Sequence, residues 1–258
     1  MLIAAEGFFT RSGLAFGWRW LHIVFGVAWI GLLWYFNLVQ VPSFAEYGND
    51  GDGPKARNIS LNILARRALW YFRWAALATV VTGLLITGFT KDYFSSNFGS
   101  SARGLAISTG MLLGIIMFLN VWGVIWRNQK VVLANASNVL GGGQADPGAA
   151  AAGRKALVAS RQNTIFSVSM LFFMVYKGHS PRISVAEISS ANMGAFWGIT
   201  MIIIAVLELN ALGVMPWKFE ANKGLNILYD GPKVRNPLIA SFGLWLVFLI
   251  LTEIFFRV

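Results

Sequence analysis

Six apolar runs constrain this chain more strongly than any other feature of its sequence. A helix needs about 20 apolar residues to cross the hydrocarbon core of a bilayer. Charged residues make up only 12% of the 258 residues and hydrophobic residues 56%, whereas a soluble protein carries about twice that charged share. We therefore predict one all-α domain over residues 1–258, a polytopic membrane helix bundle with six transmembrane helices in a lipid bilayer. The predicted spans are 18–41, 68–90, 104–126, 163–178, 193–215 and 237–257.

The distribution of basic residues predicts the orientation of the bundle. Thirteen Lys and Arg residues follow spans one, three and five, and seven lie on the opposite side. Cytoplasmic loops of membrane proteins are enriched in Lys and Arg, so both termini are predicted outside. The net charge of +10 is spread between apolar runs and does not form one basic stripe, so we predict no nucleic-acid partner. The N-terminus lacks the pattern of a removable signal peptide.

The two histidines of the chain, His22 and His179, are candidate metal ligands. His22 lies near the outer start of span one, and His179 lies at the outer end of span four. Two imidazoles from different helices at similar depth suit the iron of a haem b, which is held without a covalent bond. Cysteine is absent, which excludes disulfides, thiolate metal sites, iron–sulfur clusters and covalently attached haem.

Residues around His22 add to this hypothesis. Gly26, one turn further in, would leave room for a flat macrocycle, with Phe25 and Trp29 bordering the same face. Arg19, one turn outward, would suit a propionate carboxylate. The cofactor-binding candidates are thus His22, His179, Arg19 and Gly26, with Lys177 and Arg182 flanking His179. The alternative is that His22 bonds a helix carbonyl and His179 is a surface loop residue.

Polar residues near the predicted inner face form a second candidate site. Arg73 in span two and Glu208 in span five are the natural ion pair, because charged groups inside a membrane usually face one another in the bundle interior. Amides lie at the same depth, namely Asn37, Asn120 and Asn210. These residues would form either a structural ion pair with amide bonds between helices or a polar vestibule for protons or a substrate.

Four segments in order resemble one known family. They read "WLHIVFGVAWIGLLWYFNLVQVPS", "WYFRWAALATVVTGLL", "FLNVWGVIWRNQK" and "RQNTIFSVSMLFFMVYKGHS", and they cover roughly residues 18–180. This stretch resembles the membrane (N-terminal) domain of the bacterial cytochrome-c-type urate oxidase family. In that family the membrane domain oxidises urate and passes electrons to a C-terminal cytochrome c outside the membrane. The resemblance implies the bundle fold, the outer-face histidines and a bacterial inner-membrane location.

The chain also departs from that family. It has no C-x-x-C-H motif and ends within a residue or two of span six, so we expect a short stand-alone member whose cytochrome would be a separate protein. Family members that oxidise urate carry further histidines after span one, whereas "SFAEYGNDGDGPKARN" has none. These differences argue against urate oxidation by this chain alone.

Three functions are compatible with the sequence. The first is a haem-b electron-transfer protein that serves a partner on the outer face, either a separate cytochrome c or a larger membrane complex. The second is a cofactor-free accessory or structural subunit of a larger membrane enzyme complex. The third is a small-molecule transporter using Arg73 and Glu208, although neither discontinuous helices nor inverted repeats are visible. No carboxylate pair, nucleophile–base arrangement or phosphate loop predicts self-contained catalysis, so the catalytic residues of a possible oxidoreductase component remain unassigned.

Overall fold

The computed structural model describes residues 7–47, 51–90, 96–179, 187–231 and 234–256. Within these residues the chain is helical and contains no strand, which confirms the all-α prediction. The α-helices are α1 (Arg11–Trp34), α2 (Val41–Glu46), α3 (Gly53–Ser60), α4 (Arg66–Phe89), α5 (Ser96–Gly99), α6 (Ala102–Asn120), α7 (Trp126–Leu140), α8 (Ala149–His179), α9 (Ser190–Ala211) and α10 (Arg235–Phe255). A short 3₁₀ helix covers Gly224–Leu228.

Five helical segments are long and apolar enough to cross a membrane. This supports a multi-pass membrane protein, as the apolar runs predicted. Three of the segments are longer than a bilayer requires, because α1 runs on into α2, α3 into α4, and α6 into α7. The five segments are Arg11–Glu46, Gly53–Phe89, Ala102–Leu140, Ser190–Ala211 and Arg235–Phe255.

The fourth predicted span, 163–178, lies in α8, which is not one of the five segments. This helix is central in the bundle and packs against α6, α7 and α10, with smaller contacts to α1 and α9. A helix enclosed by other helices faces little lipid and can therefore carry polar residues. Its buried polar side chains include Gln162, Asn163, Thr164, Ser167 and Ser169. That composition explains why α8 lacks the hydropathy of its neighbours, and the sixth span stays a prediction.

Each of the three long segments changes from α- to π-helix near one end of the bundle. The π-helical stretches are Tyr35–Gln40, Leu61–Ala65 and Val121–Ile125. This end carries the basic residues of α7 and of the start of α8, and we therefore call it the basic end. The opposite end, where α1 begins, is called the N-terminal end.

The helix α1 begins seven residues before the predicted span. Thr10 caps it, its Oγ1 accepting a hydrogen bond from the Gly13 N–H at 3.3 Å. Arg11 Nε donates to the carbonyl oxygen of Phe89 at 3.2 Å, which ties the start of α1 to the end of α4. These two antiparallel helices form a hairpin. His22 lies about 16 Å along the helix axis from Arg11, at 1.5 Å per residue.

The segment between α9 and α10 folds back over the basic end. Its buried Asn226 donates from Nδ2 to the carbonyl oxygens of Lys218 (2.9 Å) and Glu220 (2.8 Å). Asn210, at the end of α9, donates to Asn226 Oδ1 at 3.1 Å and accepts from Trp217 Nε1 at 2.6 Å. Asn226 thus satisfies two backbone carbonyls of this segment, and Asn210 holds Asn226 and Trp217 against the end of α9.

Candidate haem-ligand site and buried polar layer

His22 is held by the backbone of α4. Its Nδ1 atom lies 2.8 Å from the carbonyl oxygen of Thr79. A carbonyl oxygen only accepts hydrogen bonds, so Nδ1 is the donor and carries the ring proton. In a neutral imidazole with this tautomer, Nε2 keeps its lone pair. The Oγ1 atom of Thr82 lies 3.4 Å from the same Nδ1. The hydrogen bond therefore orients His22 with Nε2 as its potential ligand atom.

Small residues of α4 make room for the imidazole. A Cβ atom at Gly83 would lie 3.1 Å from His22 Cε1 and 3.4 Å from Nδ1. The hydroxyl groups of Thr79 and Thr82 donate to carbonyl oxygens one turn earlier in α4, at 2.8 Å and 2.6 Å. Both hydroxyls are therefore satisfied within α4, and the Thr79 carbonyl is the group that receives His22. The role of these three residues was not predicted from the sequence, although the stretch "TVVTG" places them on adjoining turns of an apolar span.

The other cofactor-binding candidates on α1 lie in different surroundings. Arg19 is exposed, one turn from His22 toward the N-terminal end. A Cβ atom at Gly26 would lie 3.9 Å from Thr79 Cγ2, so Gly26 belongs to the face of α1 that packs on α4. Trp29 is buried, and its Nε1 has no hydrogen-bond partner within the described part of the chain. Arg19 thus lies on the exposed side of His22, whereas Gly26 lies at the contact between α1 and α4.

The backbone register relates His179 to His22. Trp34 Nε1 donates to Ser167 Oγ at 3.0 Å, and Asn37 Nδ2 donates to Ser160 Oγ at 2.8 Å. These two contacts show that α1 and α8 run antiparallel where they meet. Each histidine lies twelve residues from the Trp34–Ser167 contact, which is about 18 Å of helix toward the N-terminal end.

The residues predicted around the second histidine are only partly described. His179 is the last residue of α8, but its side chain and that of Lys177 lie outside the described part, as does all of Arg182. The pairing of His179 with His22 stays a prediction.

A layer of amides and one carboxylate connects three helices. Asn120 Nδ2 of α6 donates to Asn163 Oδ1 of α8 at 3.1 Å and to Glu208 Oε2 of α9 at 3.2 Å. Asn163 in turn donates to the carbonyl oxygen of Met117 at 2.9 Å. One turn earlier in α8, the Ser160 hydroxyl accepts a hydrogen bond from Asn37. Interhelical amide bonds therefore occur in this layer, as one of the two interpretations of the sequence expected, and the polar vestibule stays a prediction.

The two charged residues of the predicted ion pair have different partners. The guanidinium carbon of Arg73 lies 3.8 Å from the ring centroid of Trp126, so Arg73 faces α7. Glu208 faces α6 and accepts from Asn120. Among the described residues Arg73 and Glu208 form no ion pair with each other. The expected charge pair is therefore replaced by a cation–π contact and an amide–carboxylate bond.

The basic end also contains an ion pair that was not predicted from the sequence. Arg154 Nη1 and Nη2 donate to the two carboxylate oxygens of Asp230 at 2.5 Å and 2.8 Å, and the Asn222 N–H donates to Oδ2 at 2.8 Å. Arg161 lies 4.0 Å from the same carboxylate. Burial alone would raise the pKa of Asp230, but the hydrogen bonds from Arg154 and Asn222 and the charges of Arg154 and Arg161 hold this pKa below its ordinary value.

Tyr229 lies next to this ion pair, directly after the 3₁₀ helix, and is fully buried. Its hydroxyl donates to Gln162 Oε1 at 2.7 Å, and its carbonyl oxygen accepts from Arg161 Nη1. Burial raises the pKa of the Tyr229 phenol, so it stays a protonated donor. Tyr229 and Asp230 together hold the segment that follows the 3₁₀ helix against α8.

Comparisons with known proteins give no relative from which a function could be transferred. No protein-family model matches the chain, and neither the curated proteins nor the solved structures yielded a match. Within the described ranges, no three side chains of His, Asp or Glu lie together as a metal-ion site.

Proposed function

We propose that this chain is an integral-membrane redox protein that binds haem b with His22 as an axial ligand and passes electrons to a protein partner. The observation that carries the proposal is the hydrogen bond from His22 Nδ1 to the Thr79 carbonyl. Histidines that ligate a metal almost always donate their other N–H to a carbonyl or carboxylate, which fixes the ring and raises the basicity of the ligating nitrogen. A bound haem would supply one-electron transfer.

The surroundings of His22 fit this role. The imidazole needs space beside α4, which Gly83 provides. Arg19 lies on the side toward the N-terminal end, where it would bind a propionate carboxylate. His179 is the proposed second ligand, since the backbone register gives it a similar height along the bundle. The resemblance of four segments to the urate oxidase membrane domain supports redox chemistry, a bacterial inner-membrane location and a separate cytochrome c as the partner.

A reduced-minus-oxidised absorption spectrum tests the proposal. The full chain, expressed with added haem precursor and purified in mild detergent, should show a b-type band. The band should disappear in His22→Gln, which removes the ligand but keeps a polar side chain. It should persist in the matched variant Ile23→Ala, whose side chain faces outward on the same turn.

Two outcomes would overturn the assignment. A wild-type protein without a b-type band excludes haem, and a full band in the folded His22→Gln variant excludes His22 as the ligand. The variant His179→Ala tests the second ligand separately. If it keeps an unchanged band while His22→Gln loses it, the second axial position belongs to another group.

A cofactor-free accessory subunit is the second candidate. The same hydrogen bond favours it, because Thr79 satisfies the ring donor of His22 without any metal. This candidate predicts that the chain co-purifies with a larger membrane complex whose spectrum is explained by the other subunits alone.

A further inference from the structure

Two long helical segments carry no acidic residue. Gly53–Phe89 and Ala102–Leu140 contain no Asp or Glu. Toward the basic end their side chains include seven cations, namely Lys55, Arg57, Arg66, Arg67, Arg73, Arg127 and Lys130. Arg66 is bound by neutral groups, since its Nη2 donates to Asn62 Oδ1 at 2.9 Å and to Ser137 Oγ at 3.1 Å. These two segments therefore present positive charge that they do not neutralise themselves.

Arg73 is the deepest of these cations in the apolar part of its helix. Its guanidinium stacks on Trp126 at 3.8 Å, and Lys130 Nζ lies 6.0 Å from the centroid of the same ring. The Nε atom of Arg73 is buried, and no acceptor for it exists among the described residues. A guanidinium in an apolar setting is costly without an anionic partner. Within the described part of the chain, the two cations beside Trp126 thus have no anion that would complete the site.

Exposed aromatic side chains on the same turns of α4 indicate the depth of this site. Trp70, Tyr71 and Trp74 are 49%, 62% and 43% exposed, and they occupy the same turns of α4 as Arg73. Trp and Tyr rings concentrate at the level of the lipid headgroups. Trp74 also packs edge-on against Trp122, with ring centroids 5.5 Å apart. These rings predict that Arg73 lies at the depth of the phospholipid phosphates, next to an apolar surface for the acyl chains.

We propose that the surface formed by Arg73, Trp126, Lys130 and Trp74 binds an anionic phospholipid. The phosphodiester accepts hydrogen bonds from the planar guanidinium, whose fork of N–H groups matches phosphate oxygens. Lys130 adds a second positive charge, and the acyl chains pack along Trp74. The positive charge selects an anionic headgroup over a zwitterionic one. This inference is independent of the haem proposal.

Lipid retention by the purified full chain tests the inference. The protein is reconstituted into vesicles containing phosphatidylglycerol and phosphatidylcholine, extracted in non-ionic detergent and washed in 1 M NaCl, where the Debye length is about 3 Å and exposed charges are screened. We expect the wild type to retain phosphatidylglycerol in preference to phosphatidylcholine. Arg73→Gln should reduce the retained phosphatidylglycerol about tenfold, as loss of a charge-assisted hydrogen bond implies.

The matched control is Arg67→Gln, which removes the same charge from an exposed position of the same helix and should retain lipid like the wild type. Arg73→Lys, which keeps the charge above Trp126 but lacks the fork, provides a second variant if Arg73→Gln does not fold. It should also retain less phosphatidylglycerol. Equal retention of the two lipids by the wild type, or equal losses in the Arg67 and Arg73 variants, would overturn the proposal. Displacement of the lipid by inorganic phosphate would identify a site for soluble phosphate instead.

Discussion

The Nδ1 atom of His22 and the carbonyl oxygen of Thr79 lie 2.8 Å apart, although 57 residues separate them in the chain. This bond joins α1 to α4 within the hairpin and determines which ring nitrogen carries the proton. Because the acceptor is a backbone atom, no substitution at Thr79 itself removes it. The ring position is better tested through the glycine that makes space for it.

Replacing Gly83 with alanine should disturb His22 directly. The new Cβ would lie 3.1 Å from the imidazole, so the ring must move by a few tenths of an ångström and weaken its bond to Thr79. We expect a loss of about 1–3 kcal/mol in the free energy of unfolding, as for other overpacked sites. Thermal unfolding in detergent measures it, and any b-type band should shift or broaden.

Gly88→Ala is the matched control for this change. It lies in the same helix, and a Cβ there meets nothing within 4 Å. Alanine favours helix over glycine by about 0.8–1.0 kcal/mol, so this variant should be as stable as the wild type or more so. A Gly83→Ala variant with the same gain and an unchanged spectrum would contradict the proposed packing of His22.

Asp230→Asn should destabilise the basic end. It leaves Arg154 without its carboxylate partner, and breaking a buried ion pair by removing one member costs about 3–5 kcal/mol. Glu220→Gln is the control, because the Glu220–Lys223 pair is largely exposed and such pairs contribute about 0–1 kcal/mol. Chemical or thermal unfolding of both variants gives the comparison. Similar small losses in the two would show that the Arg154 pair is not structural.

The stability of the protein should depend on pH through Asp230. Because the pKa of Asp230 is lower in the folded state, the ion pair contributes its full stability above the unfolded pKa of about 3.9. That contribution is lost as the pH falls through the folded value. Unfolding curves measured between neutral and acidic pH should therefore show a smaller acid-induced loss in Asp230→Asn than in the wild type. Parallel curves would contradict this assignment.

Asn163→Ala should loosen the contact between α6 and α8. It removes the bond to Asn120 and the bond to the Met117 carbonyl, so we expect a loss of about 1–2 kcal/mol in the free energy of unfolding. Asn128→Ala is the control, since its Nδ2 donates to the Val124 carbonyl within its own helical segment. Equal effects of the two substitutions, measured by thermal unfolding, would argue against an interhelical role for Asn163.

Much of the helical fold could be predicted from hydrophobicity. The apolar runs correspond to α1, α4, α6, α9 and α10. The helix α1 begins seven residues before the predicted span, because Thr10 caps a first turn that is less apolar than a span. Hydropathy also says little about a helix such as α8, whose surroundings are other helices.

The sites were harder to predict because they depend on which helix faces are in contact. His22 is recognisable in the sequence as a polar residue in an apolar run. Its acceptor is a backbone carbonyl, which every residue carries, so the sequence does not identify it. The pairing of Arg73 with Glu208 followed from charge alone. The structure instead directs Arg73 to Trp126, since the side chain of Arg73 points from α4 toward α7. Asp230 was missed because its partner Arg154 lies 76 residues away.

The three π-helical stretches determine how the surfaces of their helices line up. A π turn holds about one residue more than an α turn, and each residue of an α-helix advances the side-chain direction by about 100°. Removing a single residue from Val121–Ile125 would let α6 continue as a regular helix into α7. Every side chain from Trp126 onward would then rotate by about that angle, and Trp126 would leave the guanidinium of Arg73. One extra residue in the backbone thus determines the direction in which the aromatic and basic side chains of α7 point relative to the amide layer on α6.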